Sequence, residues 1–584
     1  MDMQSTPIVS PTSEKLGRGL RPKNPPVKLA DYVTNLLYEP YPSMTPYPID
    51  NYLSDSCFSE SMKAFIFAVT STTEPRHYQE AIKDKFWRFA IKDEIVSLED
   101  SGTWTVETLP PEKKALGCKW VFRLKFHADG TLERHKARLV VLGNNQTEGV
   151  DFSETFAPVA KMNTIRAFIQ QAVNQGWNID QMDVHNAFLH GDLDEEVYMQ
   201  FPPGFRTADN NKVCRLRKSL YGLKQAPRCW FAKLGHALKA YGFVQNVSDY
   251  SLFILENGDM RLHVLVYVDD IIISGSSAAL IAKFKHYLSS CFHMKDLGAL
   301  RYFLGIEVAR GPQGVYLCQR KYALDIISET GLLGVQPVSF PLEQNHKLAI
   351  AEGKPLLNPS PYRRLVGRLI YLVNTRPELS YVIHILSQFM NAPKPDHWEA
   401  ALRVVRYLKN SPGQGILLRA NTEMKLTAWC DSDWSGCLTS RKSLTGWFIQ
   451  LGGSPLSWRT KKHDRVSRSS AEAEYRAMGD TVSEILWLRQ LLPALGIDCS
   501  APITLYSDSL SAIQLAANPV FHERTKHVEN DCHFIRDEIV RGVITTKHVS
   551  TKSQLADIFT KALGRKEFEA FLLKLGVVNL YTPP

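Results

Sequence analysis

The stretch LHVLVYVDDIIISG, residues 262–275, places two adjacent carboxylates, Asp269 and Asp270, inside an otherwise apolar run. The β-branched and aromatic residues on either side predict two short strands. A tight hairpin between them would normally use Asn-Gly or Asp-Gly, because both central residues need φ > 0, so Asp-Asp is a poor turn. Two carboxylates about 4 Å apart repel each other by roughly 1 kcal/mol in water and about 4 kcal/mol in a protein-like dielectric. We therefore expect a cation to offset this repulsion.

The rest of the sequence is that of an ordinary globular protein, with 44% hydrophobic and 22% charged residues. Its 584 residues suffice for several domains. The formal net charge of +9 suits a partner with a phosphate backbone, and it equally suits simple solubility. The ten cysteines include no C-x-x-C pair, which argues against a disulfide framework or a zinc ribbon and favours a reduced, intracellular compartment. No apolar run reaches the ~18–20 residues of a membrane span, and the N-terminus lacks the apolar core of a secretory signal.

Composition and periodicity divide the chain into segments. Residues 1–75 are rich in Pro, Ser and Tyr, which predicts a linker. Residues 76–310 mix helices and strands, residues 311–420 alternate short strands with helices, residues 421–562 open a second mixed pattern, and residues 563–584 form a C-terminal tail. One early helix is predicted to bury a face made of Trp87, Ala90, Ile91, Ile95 and Leu98. The simplest arrangement is two compact units of class α+β or α/β with a connecting segment.

A third carboxylate that could join the acidic pair lies upstream. Asp183 follows a short alternating strand in GWNIDQMDVHNAFLHGDL. If Asp183 and Asp269 face each other on adjacent strands, they can bridge two metal ions ~3.5–4 Å apart, as two-metal phosphoryl transfer requires. Between these acids lies SLYGLKQAPRCW, in which Gly222 permits close backbone approach and Lys224 offers a charge to phosphate. The pattern therefore favours chemistry on a phosphate ester, although two solvated acids in a turn would explain the pair alone.

Four strings in this order resemble the reverse transcriptase of copia-type LTR retrotransposons: QMDVHNAFLHGDL, SLYGLKQAPRCW, LVYVDDIIISG and MKDLGALRYFLGIEV. The resemblance begins at RPKNPPVKLADYV, similar to the end of the preceding integrase region of that polyprotein, and continues to QLADIFTKAL. It implies that residues 1–75 are a flexible linker following a lost integrase region. It also implies a right-hand fingers–palm–thumb polymerase, with fingers and palm in 76–310 and the thumb or connection in 311–420, followed by a ribonuclease H-like α/β domain in 421–562.

The resemblance also implies roles for residues around the acids. Asp183 and Asp269 would be the principal metal ligands and Asp270 a supporting one. Phe188 falls where the family has the aromatic gate that excludes a ribose 2′-OH, although a plain core phenylalanine explains it as well. Tyr267, directly before the turn, is assigned to substrate binding.

The same resemblance places a phosphate grip in the strand HKARLVV. Lys136 and Arg138 match the fingers strand that grips the incoming triphosphate. Charged residues on a hairpin are more often a solvated face, which is the alternative for this pair. Leu142 stands where family members often have a lysine, so a phosphate contact there is not expected.

A second acidic group follows the connecting segment. An alternating strand in LTAWCDSDWSG delivers Asp431, with Asp433 the weaker candidate because the family places its first catalytic acid at the earlier position. The strand ITLYSDS brings Asp508 to its end, and STKSQLADIFTKAL brings Asp557 onto a helix. These acids lie on successive elements and could hold metal ions against an RNA phosphodiester.

Two glutamates compete for the fourth position, at the start of the helix in SRSSAEAEYRAMGDTVSEILWLRQLL. Ser469 and Glu472 have the spacing of a capping box, with Ser469 as the N-cap and Glu472 reaching back to it. Glu474 instead heads the apolar stripe that faces inward. We therefore expect Glu472 to be structural and Glu474 catalytic.

Together Asp431, Glu474, Asp508 and Asp557 resemble the DEDD set of ribonuclease H. This implies two Mg²⁺ per active site in both halves of the chain, with Mn²⁺ as the alternative ion. His548, nine residues before Asp557, is similar to a mobile histidine that helps product release in that fold, and a surface loop histidine is the equal alternative.

A zinc site is not expected. The histidines and cysteine at His522, His527, Cys532 and His533 match no common structural spacing.

The resemblance implies an RNA template, a DNA primer, an RNA–DNA hybrid and deoxynucleoside triphosphates as partners, with self-association in a retroelement particle and no membrane. A cytoplasmic particle is the expected location, with the nucleus as a second one, and secretion is not expected. Basic side chains in the connecting segment could track the nucleic-acid backbone. These are Arg363, Arg364, Arg368, Arg403 and Arg406.

Two other interpretations compete with an active polymerase and nuclease. A catalytically silent retroelement remnant would at most bind nucleic acid. Random decay should remove carboxylates, yet all seven expected acids are present. An RNA-dependent RNA polymerase is disfavoured by Phe188 and by the appended nuclease pattern.

Overall fold

The computed structural model describes residues 74–126, 132–205, 209, 211–517 and 529–579, all within one compact unit, Asp55–Pro584. The expected linker, 1–75, lies almost wholly outside these residues. None of the described helices is long and apolar enough to cross a membrane.

The described chain is built of α-helices and mainly antiparallel strands. The helices are α1 (Tyr78–Ala81), α2 (Lys85–Asp100), α3 (Met162–Asn174), α4 (Ala226–Tyr241), α5 (Ala278–Cys291), α6 (Arg320–Glu329), α7 (Ser360–Leu372), α8 (Ser380–Ser387), α9 (Pro395–Asn410), α10 (Ser470–Leu491), α11 (Leu510–Ala517), α12 (Glu529–Val540) and α13 (Arg565–Lys574). The strands are β1 (Trp104–Thr108), β2 (Cys118–Phe126), β3 (Leu132–Val141), β4 (Asn178–Val184), β5 (Tyr198–Met199), β6 (Lys212–Leu216), β7 (Val244–Gln245), β8 (Leu252–Asn257), β9 (Met260–Tyr267), β10 (Asp270–Gly275), β11 (Met294–Ala299), β12 (Tyr302–Phe303), β13 (Ile306–Gly311), β14 (Gly314–Cys318), β15 (Gln414–Arg419), β16 (Leu426–Asp433), β17 (Leu444–Leu451), β18 (Ser454–Lys462), β19 (Ile503–Ser507), β20 (Ile544–His548) and β21 (Val577–Asn579).

The N-terminal part of the described chain combines helix α2 with the hairpin β2–β3 and the small sheet β1-β6-β5. All five residues predicted for the buried face of α2 are buried, which confirms that periodicity. Asp84 caps this helix, because its carboxylate accepts a hydrogen bond from the Phe86 amide. The helix packs against β3, so the hairpin is held by its apolar side.

The six-stranded antiparallel sheet β11-β4-β10-β9-β8-β7 carries the acidic pair. The predicted strands on either side of the acids are confirmed as β9 and β10. One face of the sheet packs on helix α3, and the other packs on α4 and α5. Burial on both faces explains why the flanking sequence is continuously apolar rather than alternating.

Strands β14 and β15 of the connecting segment pair with β12 and β13, which begin before residue 311, and with β21 in a sheet of order β12-β13-β14-β15-β21, here called the connecting sheet. Helices α6 to α9 contribute to the same apolar cluster. The residues predicted as a C-terminal tail, 563–584, contain helix α13 and strand β21 in their described part. Strand β21 pairs antiparallel with β15, so Val577 lies opposite Ile416. The Tyr316 hydroxyl also donates to the Val578 carbonyl at 2.8 Å.

The last sheet is mixed and has the order β18-β17-β16-β19-β20. Strands β18, β17 and β16 are antiparallel, whereas β19 lies parallel to both β16 and β20. The long helix α10 packs on β16 and β17 through residues such as Tyr475 and Met478. The carboxyl end of β16 and the end of β19 therefore lie beside each other at one edge.

A single apolar cluster joins helix α3, the connecting sheet and the last sheet. At its polar edge, the buried Arg166 of α3 donates from Nε to the Leu456 carbonyl at 2.7 Å and from Nη1 to the Asn374 carbonyl at 3.0 Å. Its guanidinium also stacks on Trp458. Arg166, on the helix that packs against the six-stranded sheet, thus binds both the connecting segment at Asn374 and the last sheet at Leu456.

Candidate catalytic sites

The hairpin β9–β10 presents the acidic pair differently from the expected turn. Tyr267 and Asp270 are paired in register, so the two central turn residues are Val268 and Asp269. Val268 has φ +57°, and Asp269 is not in the left-handed region. A positive φ at the first central position is typical of a type II′ turn, where glycine is usual. The assumption that Asp269 and Asp270 form the turn together was wrong, because the turn begins one residue earlier.

This turn brings the expected third acid beside the pair. Asp270 lies opposite Asp183 on the adjacent strand β4, and the Val184 amide donates to the Asp269 carbonyl at 3.0 Å. Burial, followed by the charge of Asp269, raises the pKa of Asp183. Burial also raises the pKa of Asp270 to about 6, although Gln181 lowers it by donating to the carboxylate at 3.1 Å. Asp270, rather than Asp269, is therefore the acid that lies opposite Asp183 on the adjacent strand.

Three basic side chains act electrostatically on Asp183. Lys295 lies opposite Asp183 in the register of β11, and the charges of Lys295, Lys136 and Arg138 lower the pKa of its carboxyl group. Lys295 was not identified from the sequence, because its register with β4 depends on long-range strand pairing. Lys136 and Arg138 thus lie within electrostatic reach of the acids, on the neighbouring hairpin.

Two of the candidate substrate residues, Arg138 and Phe188, form a small aromatic group with Tyr221. Arg138 lies over the Tyr221 ring at 4.4 Å from its centroid, and Phe188 packs edge-on against the same ring at 5.1 Å. Both Phe188 and Tyr267 are half-buried. Phe188 is therefore neither a fully buried core residue nor a fully exposed one.

Gly222 shows the close backbone approach that its sequence suggested. It has φ +96°, and a Cβ atom there would lie 2.1 Å from the Val141 carbonyl oxygen. The loop thereby docks on the end of β3, where the Val141 amide donates to the Tyr221 carbonyl at 2.8 Å. Lys224 is less free than expected, since its Nζ atom donates to the Gln146 carbonyl at 3.2 Å.

A tighter acidic group lies in the last sheet. Asp431 on β16, Glu474 on α10 and Asp508 after β19 each offer an oxygen, and these oxygens all lie within 4.8 Å of one another. Across the described residues, Asp183, Asp269 and Asp270 do not form a group that close. The Ser432 amide donates to Glu474 at 3.2 Å, and Thr551 donates to Asp508 at 2.9 Å. These bonds hold two of the three carboxylates, those of Glu474 and Asp508, in position.

Asp557 lies on a 3-10 helix, Leu555–Phe559, and interacts electrostatically with Asp431 and Asp508 of this group. Lys561 lies 3.0 Å from its carboxylate, and Thr560 donates to Asp431. Burial, and then the charge of Asp431, raise the pKa of Asp557 to about 7. Neither Thr560 nor Lys561 was singled out from the sequence, although both stand within four residues of Asp557 in QLADIFTKAL.

The two competing glutamates point to different partners. Ser469 caps α10 by accepting from the Glu472 amide at 3.1 Å, as predicted. The Glu472 carboxylate accepts a hydrogen bond from the Arg468 amide and pairs with Arg476 at 2.8 Å. It therefore binds the amide of the residue before the N-cap, not the Ser469 amide that the capping box predicted. Glu474 instead joins the acids. Burial, followed by the charges of Asp431 and Asp508, raises its pKa to about 9.

Four further sequence candidates lie either in the last sheet or outside the described residues. Burial and then Asp431 raise the pKa of Asp433 to about 6, which places Asp433 at the margin of the cluster. His548 is exposed at the end of β20, opposite Ser507 in register. Of the residues weighed for zinc, His522 and His527 lie outside the described residues.

The second acidic group suits a divalent cation. Its carboxylate oxygens are ligands that Mg²⁺ and Mn²⁺ prefer. The buried Oε2 atom of Glu474 has no hydrogen-bond partner among the described residues. Mutual repulsion of buried carboxylates is relieved when a cation binds them.

The chain thus carries two clusters of acidic residues on separate sheets. Clusters of carboxylates that can hold two metal ions are found in polymerases and nucleases, among other enzymes. Residues 101–344 match the family described as reverse transcriptase (RNA-dependent DNA polymerase). Over 523 residues, covering 89% of this chain, the sequence is 46% identical to a retrovirus-related Pol polyprotein from transposon RE2 of Arabidopsis thaliana. A putative transposon Ty5-1 protein of Saccharomyces cerevisiae is 33% identical over 308 residues, which are 52% of this chain and 100% of that protein.

The chain therefore belongs to the reverse transcriptase family of copia-type retrotransposon Pol polyproteins. It spans 36% and 35% of the length of the two Arabidopsis Pol polyproteins that it matches. Among solved structures, a prototype foamy virus protease–reverse transcriptase matches with a TM-score of 0.25 and 14% identity, covering 82% of this chain and 54% of that one.

Proposed function

We propose that the chain is an RNA-directed DNA polymerase whose last sheet is a ribonuclease H that degrades the RNA strand of the hybrid. The observation that carries the polymerase proposal is the register of β4, β9 and β10, which puts Asp183 opposite Asp270 and beside the turn that holds Asp269. In this proposal the six-stranded sheet is the palm, the hairpin β2–β3 belongs to the fingers, and residues 311–420 are the thumb or connection.

The residues of the palm would work as a preorganised set. Asp183 and Asp269 would hold two Mg²⁺ or Mn²⁺ ions, with Asp270 in support. Such ions lower the pKa of an attacking hydroxyl and neutralise a leaving phosphate. Gln181 fixes Asp270 by its hydrogen bond, and Lys295 limits the repulsion among the acids while the site is metal-free. The chain itself therefore supplies orientation and charge balance.

Substrate would enter over the aromatic group beside the acids. Arg138 and Lys136 carry the positive charge that a triphosphate needs, and Arg138 is held in place by the Tyr221 ring. Phe188, packed on the other side of Tyr221, would exclude the ribose 2′-OH, while Tyr267 and the Gly222–Lys224 loop border the template and primer. Deoxynucleotides are then the preferred substrates.

The nuclease proposal depends on the compact group of Asp431, Glu474 and Asp508, with Asp557 as the fourth acid. These residues would hold two further Mg²⁺ ions against the RNA phosphodiester, and the exposed His548 would assist product release. An RNA–DNA hybrid leaving the palm is the natural substrate, since both sites are in one chain. Assembly in a cytoplasmic particle, with nuclear entry later, is part of the same proposal.

Primer extension on an RNA template with dNTPs and Mg²⁺ tests the polymerase, with D269N as the inactive variant. D259N is the matched control, because Asp259 is an exposed acid in the turn before β9. Extension by the wild type and D259N but not by D269N is expected. No extension by a folded, monodisperse wild type would favour the silent-remnant interpretation. Cleavage of a labelled RNA–DNA hybrid tests the nuclease separately, with D431N as the variant expected to be inactive.

A further inference from the structure

The backbone of the acidic turn adopts a conformation that its own residues disfavour. Val268 is β-branched and half-buried, and its φ of +57° lies in the left-handed region. A β-branched residue is a genuine outlier there, because its side chain crowds the backbone. Such conformations persist where the surroundings impose them, and they concentrate at functional sites. Something outside the hairpin must therefore hold this turn.

The indole of Trp230 provides that hold. Its Nε1 atom donates to the Val268 carbonyl at 2.7 Å, and the side chain is 1% exposed. The next carbonyl, of Asp269, accepts from the Val184 amide at 3.0 Å. Both central carbonyls of the turn are thus bound by groups outside the hairpin, one of them a buried side chain.

Trp230 is itself fixed on two sides. Its ring packs edge-on against Phe292 at 5.1 Å and contacts His190 at 5.8 Å. Helix α4 approaches so closely that a Cβ atom on Gly191 would lie 2.7 Å from the Trp230 amide nitrogen. The donor therefore has little freedom to follow the turn if the turn moves.

We infer that Trp230 is a positioning residue for Asp269, locking the turn in its strained form so that this carboxylate faces Asp183. The inference about catalysis depends on the proposed polymerase function, whereas the lock itself is a property of the folded chain. Trp230 lies beneath the turn and is buried away from solvent, so it acts through the backbone of Val268 rather than on substrate.

The test removes the indole N–H while keeping an aromatic ring. W230F should increase deuterium exchange of the peptide containing residues 266–272 by about tenfold, since a buried hydrogen bond is lost. The matched control is W458F, which removes an indole hydrogen bond to the Val373 carbonyl beside Arg166 rather than one to the turn. W458F should leave exchange at 266–272 unchanged.

A second variant separates positioning from general loss of packing. Glycine adopts the first position of a type II′ turn without strain, so V268G should reduce the effect of W230F on both exchange and kcat. For the polymerase we expect W230F to lower kcat about tenfold with KM for primer–template unchanged. Equal effects of W230F in the wild-type and V268G backgrounds, or unchanged exchange in W230F, would overturn the inference. If the wild type does not polymerise but W230F speeds exchange in this peptide, the lock stands and the proposed function fails.

Discussion

Replacing Glu474 by glutamine should stabilise the metal-free protein. The carboxyl group is 8% exposed and lies beside Asp431 and Asp508, so its pKa rises from the ordinary value of 4.5 to about 9. At neutral pH the folded chain therefore keeps a proton on Glu474 that the unfolded chain releases. Glutamine has a similar shape but no charge to bury, so E474Q removes this penalty.

The size of the effect follows from the two pKa values. Because the folded state binds the extra proton, stability falls as pH rises above 4.5, by about 1.4 kcal/mol per pH unit for this group. By pH 7 the penalty amounts to about 3 kcal/mol, and it stops growing above pH 9. At pH 4, below both pKa values, the gain from E474Q should vanish.

Urea unfolding at pH 4, 5, 7 and 8 in EDTA checks this prediction. The contrasting variant is E472Q, which loses the ion pair to Arg476 and should be less stable than the wild type. Added Mn²⁺ should stabilise the wild type more than E474Q, because the glutamine offers a neutral oxygen. An E474Q protein that is no more stable than the wild type at pH 7, or whose gain does not grow with pH, would refute the reasoning.

Three further outcomes are expected. F188A should raise incorporation of ribonucleotides relative to deoxynucleotides by about tenfold, because the side chain that excludes the ribose 2′-OH is removed. If single-nucleotide extension shows an unchanged ratio, Phe188 does not have this role. The affinity of the acidic group in the last sheet for Mn²⁺ should increase from pH 6 to pH 9, since protons must leave Asp557, whose pKa is about 7, and Glu474. Calorimetry that shows the same affinity across this pH range would contradict this. R166M should lower the free energy of unfolding by about 2–4 kcal/mol, because the Leu456 and Asn374 carbonyls lose a buried donor. If chemical denaturation shows a decrease below about 0.5 kcal/mol, these contacts contribute little to stability.

Sequence patterns predicted the local features of this fold well. The buried face of α2, the strands around Asp269 and the Ser469 cap all depend on neighbours a few residues away, and each is confirmed. The positions of Glu472 and Glu474 on the helix also predicted different roles for them. In the structure Glu472 pairs with Arg476, whereas Glu474 lies with Asp431 and Asp508.

Features that depend on long-range pairing were missed or misjudged. The one-residue difference in the turn follows from the register of β9 with β10, which sequence does not specify. Three of the arginines expected to track nucleic acid also form ion pairs within the chain, which sequence reasoning did not anticipate. Arg364 and Arg368 pair with Glu329, and Arg403 pairs with Glu343 at 3.0 Å. Charge composition indicates how many cations a segment has, but the folded contacts decide how many remain available.

The pairing of β21 with β15 has a consequence for how the chain is made. During synthesis strand β15 remains an uncovered edge strand of the connecting sheet until Val577 of β21 has left the ribosome and can pair with Ile416. Local helices can form as they emerge, but this sheet closes only through a contact about 160 residues apart in sequence, and such closures are slow. The last sheet, β16 to β20, is translated inside that interval. A ribosome stalled before residue 577 should therefore display a chain whose connecting sheet is sensitive to protease, and emergence of residues 577–579 should protect it.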